Sequence, residues 1–73
     1  MTRDEWIAEF AAELGVEPPS SREVAIILDL AGAAAHGSER TAAPVACWIG
    51  GQTGKSAEAL REIGRTINPD GDA

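Results

Sequence analysis

Residues 20–37, SSREVAIILDLAGAAAHG, constrain this chain more than any other stretch. Ser20 and Glu23 form a capping box, in which each side chain reaches the other residue's backbone N–H, so a helix starts here. It runs to about His36 and stops at Gly37. Val24, Ile27, Leu28, Ala31 and Ala35 make the expected buried stripe, while Ile26, Leu30, Ala33 and Ala34 lie on other faces. A helix that is apolar nearly all round sits at the centre of a fold. In a chain of 73 residues such a helix leaves room for one core and one domain, since short chains bury a limited share of their surface.

The flanking segments read as helices too. Thr2 and Glu5 form a second capping box, and Trp6, Ile7, Phe10, Ala11 and Leu14 follow on one face. Gly15 is placed as the left-handed residue that ends this first helix, with Val16 folding back on its last turn. The stiff pair Pro18-Pro19 leads into the central helix. Pro44 suits the first turn of a third helix, where a missing N–H is harmless. Val45, Trp48, Ile49 and Gln52 mark its face, and Gly50, Gly51 and Gly54 weaken its end. Ser56 caps a fourth helix whose stripe is Leu60, Ile63, Gly64 and Ile67, stopped by Asn68-Pro69. No segment alternates as a strand. The expectation is an all-α fold, a compact bundle of four short helices around helix two, spanning residues 1–69 with residues 70–73 as a frayed tail.

Composition removes several function classes. Twelve acidic residues oppose six basic ones, a net charge of −6. Asp4, Glu5, Glu9, Glu13 and Glu17 crowd the first helix and its exit, which argues against nucleic acid or an anionic membrane as partner. One cysteine and one histidine are too few for a structural zinc site or an internal disulfide, so no metal and no cofactor is implied. No run approaches the ~20 apolar residues of a membrane span. The N-terminal residues carry acid where a signal peptide carries base, so a cytoplasmic protein is expected.

Four groups of residues are candidates for function. Gly50 to Ser56, GGQTGKS, imitates a phosphate-binding P-loop, with Gly54, Lys55 and Ser56 as the phosphate ligands. A true P-loop puts four residues between its glycine and Gly-Lys-Ser, whereas Gly50 leaves three, and the required parallel sheet has no room here. Asp29 interrupts the apolar central helix. A carboxylate buried there needs a cation, for which Arg40 is the first choice and Arg65 the second. With His36 and Glu39 these residues make a polar cluster at the joint between helices two and three. His36 stands about 10 Å of helical rise from Asp29, too far for a dyad. Ser38 and Cys47 are the only nucleophiles near it, so no catalytic residue is assigned and a non-enzymatic domain is expected. Trp6, Phe10 and Trp48 are the only aromatic residues. They are read as core, with partner anchoring as the alternative for one of them. Helix two is too apolar for so short a chain to cover, so a protein partner or a homodimer is expected, with Ile26, Leu30 and Trp48 as anchors.

The order of these features, LDLA at 28–31, AAH at 34–36, Glu39-Arg40 and AAP at 42–44, resembles a small actinobacterial helical domain family of unknown function. The resemblance covers roughly residues 3–54. Its members are found alone or joined to the guanylyltransferase that makes the molybdenum–guanine dinucleotide cofactor. It implies an accessory or interaction role linked to maturation of that cofactor, or to a molybdenum-cofactor enzyme, and brings no catalytic residue with it. Two other readings stand beside it. One is a small-ligand or phosphate-binding domain using Gly50 to Ser56. The other is an acidic regulator that binds a basic partner through helix one.

Overall fold

The structure is a computed structural model that describes residues 1–67. Four helices follow one another: α1, Arg3–Leu14; α2, Ser21–Gly37; α3, Ala42–Gly51; and α4, Ala57–Ile67. No strand occurs among the described residues, and the architecture is an all-α bundle. The expected stop at Asn68-Pro69 and the expected tail at 70–73 lie outside the described residues.

The helix starts follow local chemistry. Thr2 Oγ1 accepts the Glu5 N–H at 3.1 Å while Glu5 Oε1 accepts the Thr2 N–H at 2.7 Å. Ser20 and Glu23 repeat the reciprocal pair at 3.0 and 2.8 Å. Ser56 Oγ accepts the Ala59 N–H at 3.1 Å at the head of α4. Gly15 ends α1 at φ 72°, a region open to glycine because it lacks a Cβ. There Gly15 N–H reaches Ala12 O and Val16 N–H reaches Ala11 O, the paired bonds of a Schellman turn. The end of α2 differs from expectation. Gly37 is the last helical residue and is not left-handed. Ser38 closes the helix instead, its hydroxyl donating to Ala34 O at 2.7 Å.

Helix α2 is central, packing against both α3 and α4, and no other pair of helices packs as extensively. The α2–α4 contacts ascend together, Arg22 with Glu58, Asp29 with Arg61 and Leu30 with Gly64, so α4 runs in the same sense as α2. The buried face of α2 is the one sequence pattern assigned outward. Ile26, Leu30 and Ala33 are the buried residues of this helix, while Leu28 of the expected stripe is 51% exposed. Helix α2 offers apolar side chains on every side, so its orientation is fixed by its neighbours. Leu30 fits over Gly64, where a Cβ would stand 2.8 Å from Leu30 Cδ1. Gly50 is likewise buried against Leu60. This corrects its expected role as a loosened helix end with accessible backbone, because the glycine is where α4 approaches α3.

Candidate functional site

The core is small, with Ala11, Ile26, Leu30 and Ala33 as its buried hydrophobic residues. Much apolar side chain is left outside, and among the described residues every large exposed hydrophobic but Met1 and Leu28 falls into three places.

The first is the outer face of α1. Trp6, Phe10 and Leu14 are exposed, and Val16 after them. The Trp6 and Phe10 rings stack with centroids 5.1 Å apart. Their expected place in the core is therefore corrected. The i, i+4, i+8 spacing gathers them on one side of α1, while Ala11 is buried and Ile7 half-buried on the inner side. The second is the face of α3, where Val45, Trp48 and Ile49 are exposed at i, i+3, i+4. The third is a cleft of about 440 Å³ between the C-terminal half of α2, α3 and α4. Leu30, Ala33, Ile49, Leu60 and Ile63 line it, with Lys55 as the one charged residue of the lining.

Of the expected anchors, Trp48 is exposed, whereas Ile26 is buried at 3% exposure and Leu30, at 8%, reaches the surface only as part of the cleft lining. Ile26 and Leu30 were assigned outward on the wrong face of α2. Anchoring by Trp6 or Phe10 is the alternative to their core place, whereas the cleft-lining residues of α4 are not among the expected anchors. A sequence signal for the cleft does exist, because Gly50 and Gly64 mark where helices come closest.

The polar cluster does not assemble. Asp29 pairs with Arg61 at 3.2 Å, which replaces both Arg40 and Arg65 as its partner. Arg65 pairs with Glu62 on its own helix at 3.6 Å. The Asp29 side chain is 53% exposed, so it sits on the rim of α2 facing α4 and is no buried brace. His36, Glu39 and Arg40 are exposed and share no side-chain hydrogen bond or ion pair among the described residues. Backbone carbonyls do the joining: Glu39 O accepts the Ala42 N–H at 2.9 Å and Arg40 O the Ala43 N–H at 3.1 Å, leading the chain into α3. Cys47 is half-buried, and burial pushes its thiol above the usual range, which keeps it protonated and weakly nucleophilic.

The Gly54-Lys55-Ser56 segment is a turn with its own internal bonds. Gly54 has φ 75°. Lys55 N–H donates to Thr53 Oγ1 at 3.1 Å, and Thr53 Oγ1 donates to Gly50 O at 2.8 Å. A phosphate cradle needs such N–H groups turned to the ligand. The acidic Glu58 in the first turn of α4 further opposes an anion there. Among the described residues no three His, Cys, Asp or Glu side chains stand together as a metal-binding group, and no helix is long and apolar enough to cross a membrane.

The chain belongs to a family described as "Domain of unknown function (DUF6457)", whose model matches residues 1–69. No curated protein and no solved structure matches it.

Proposed function

We propose that this is a non-enzymatic accessory domain that docks on a partner protein through the outer face of α3. One observation carries the reading: Val45, Trp48 and Ile49 stand 56%, 71% and 58% exposed on one side of a short helix. Tryptophan is enriched among interaction hot spots, and Val45 and Ile49 give Trp48 an apolar surround that excludes water once covered. The partner implied by the family resemblance is a cytoplasmic enzyme that makes or uses the molybdenum–guanine dinucleotide cofactor, its guanylyltransferase first.

Titration of the purified domain against that guanylyltransferase tests the reading. Saturable binding is expected, and Trp48→Ala should weaken it about thirtyfold, the effect of a hot-spot residue worth about 2 kcal/mol. Binding that ignores Trp48 removes α3 as the docking face. Absence of binding to the guanylyltransferase, and to the molybdoenzymes of the same cell, removes the molybdenum link.

A further inference from the structure

Two apolar surfaces of this chain complement one another and stand apart in the molecule, one beside the start of α2 and the other beside its end. One is the α1 stripe, with Trp6, Phe10 and Leu14 at 57%, 53% and 60% exposure. The other is the cleft of about 440 Å³ among α2, α3 and α4. The inner side of α1 borders the start of α2, where Ile7 and Ala8 share a recess with Ser21 and Val24. The cleft borders the other end of α2, from Leu30 through Ala33 to Gly37. From Val24 to Ala33 the helix rises about 14 Å, and no α1 residue is among the described lining of the cleft, so α1 leaves the cleft of its own molecule open.

Charge selects the same pairing. Arg3, Arg22, Arg61 and Arg65 are held in ion pairs with Asp4, Glu58, Asp29 and Glu62. The two bases without an ion pair among the described residues are Lys55 and Arg40. Lys55 lines the cleft, and Arg40 follows two residues after Ser38 of the lining. On α1 the residues flanking the Trp6–Phe10 side of the helix are Glu9 and Glu13, which have no ion pair among the described residues either. An apolar stripe edged by acid thus matches an apolar cleft whose lining and neighbouring turn carry the unpaired bases.

We propose that α1 of one molecule seats in the α2–α3–α4 cleft of a second copy, which returns its own α1 to the first. Antiparallel placement of the two α2 helices puts each α1, at one end of its α2, beside the cleft at the opposite end of the partner's α2. The contact is then isologous and closes as a two-fold dimer. It is a helix-in-groove contact with anchors on successive turns. Trp48 takes no part in it, although Ile49 belongs to both the cleft lining and the α3 face, so Trp48→Ala is the variant that tells the two contacts apart.

Sedimentation equilibrium of the full chain from micromolar to millimolar concentration, with Trp6 fluorescence in a Trp48→Phe background, is the test. A monomer–dimer equilibrium is expected, with Trp6 emission moving to the blue as dimer forms. Phe10→Glu and Ile63→Glu should each weaken dimerisation at least tenfold with helical circular dichroism unchanged. Mixed together, these two variants should associate with each other more tightly than either does with itself, because one keeps its clefts and the other its α1. If Ile63→Glu loses helix, Lys55→Glu takes its place, with a loss of several-fold expected. A strict monomer with unshifted Trp6 emission overturns the proposal, as does a dimer that withstands both cleft variants or gains nothing on mixing. A monomer that instead uses Phe10 to hold a basic protein of another kind overturns it equally, while α3-dependent binding to a different partner leaves the α3 reading intact.

Discussion

The isopropyl end of Leu60 covers Gly50: a Cβ on that glycine would lie 2.8 Å from Leu60 Cδ1, 3.3 Å from Cδ2 and 3.5 Å from Cγ. Two methyls of one branched group crowd the same point, so Leu60 has to swing as a whole about its Cα–Cβ bond or move with α4. Gly50→Ala therefore displaces Leu60, an overpacking effect of about 1–3 kcal/mol. Against it stands a gain of about 1 kcal/mol from replacing a helical glycine. The net expectation is a loss of roughly 1 kcal/mol or more in urea unfolding. Gly64 provides the contrast. Its absent Cβ meets one atom, Leu30 Cδ1 at 2.8 Å, so a single methyl has to give way where Gly50 would displace two. Gly64→Ala should leave stability unchanged or raise it slightly, and a loss as large as that of Gly50→Ala would disprove the distinction.

The Asp29–Arg61 pair should matter less than a buried brace would. With Asp29 half-exposed, its removal in Asp29→Ala is expected to lose under about 1 kcal/mol. Arg40→Ala should leave the melting temperature where it is. Arg61 is different, because its side chain is only 24% exposed and its Nε is buried without a hydrogen-bond partner among the described residues. Its aliphatic stem packs as a hydrophobe does. Arg61→Met, which keeps the stem and deletes the stranded nitrogen, should be far milder than Arg61→Ala. Equal losses for the two would mean that the charge, and not the stem, holds α4 to α2.

These two pairs mark the boundary of what the amino-acid sequence discloses. The ends of α1 and the start of α2 were legible because a capping box is a signal carried within four residues, and Gly15 completes its turn with bonds to its own helix. Which side of α2 faces inward was not legible. Its apolar residues surround it, and the choice of Ile26, Leu30 and Ala33 depends on Gly64 lying opposite Leu30. The partner of Asp29 was hidden for the same reason: naming Arg61 requires the register of α4 against α2. In α1 helical spacing groups Trp6, Ile7, Phe10, Ala11 and Leu14, yet the structure buries Ala11, half-buries Ile7 and leaves Trp6, Phe10 and Leu14 exposed, because spacing is silent on which edge of a stripe is covered.

The two capping boxes should differ in their effect on global stability, although their hydrogen bonds are alike. Loss of an N-cap side chain weakens a helix by about 1 kcal/mol. Ser20→Ala acts on α2, against which α3 and α4 pack, so the whole domain should melt earlier. Thr2→Ala acts on α1, which packs on the rest less extensively. Fraying there is local opening rather than global unfolding. Hydrogen exchange should show faster α1 amides in Thr2→Ala with the melting temperature nearly unmoved. A fall equal to that of Ser20→Ala would show that α1 unfolds together with the core.

Calorimetry with ATP or GTP and magnesium is expected to show no binding. The Lys55 N–H is already committed to Thr53 Oγ1, and Glu58 stands in the first turn of the helix behind it. Micromolar affinity that disappears in Lys55→Ala would restore the phosphate-binding reading.

Cys47 should be a slow thiol, and the pH profile of its alkylation can show why. Burial disfavours the thiolate and raises its pKa. Iodoacetamide reacts with the thiolate alone, so at neutral pH the folded domain should react more slowly than the urea-unfolded chain. The folded rate should go on rising at pH values where the unfolded rate has levelled off. The linked effect on stability has a definite sign. In the unfolded chain the thiol ionises at its ordinary value, whereas in the folded domain it holds its proton to higher pH. Folding stability from this group is therefore level below the ordinary thiol pKa and declines as pH climbs from that value to the raised one. Cys47→Ala, which cannot ionise, should lack that part of the alkaline decline. An alkylation profile that superimposes on that of the unfolded chain would show that Cys47 is as open to water as a free thiol, and that α3 does not hold it against the bundle.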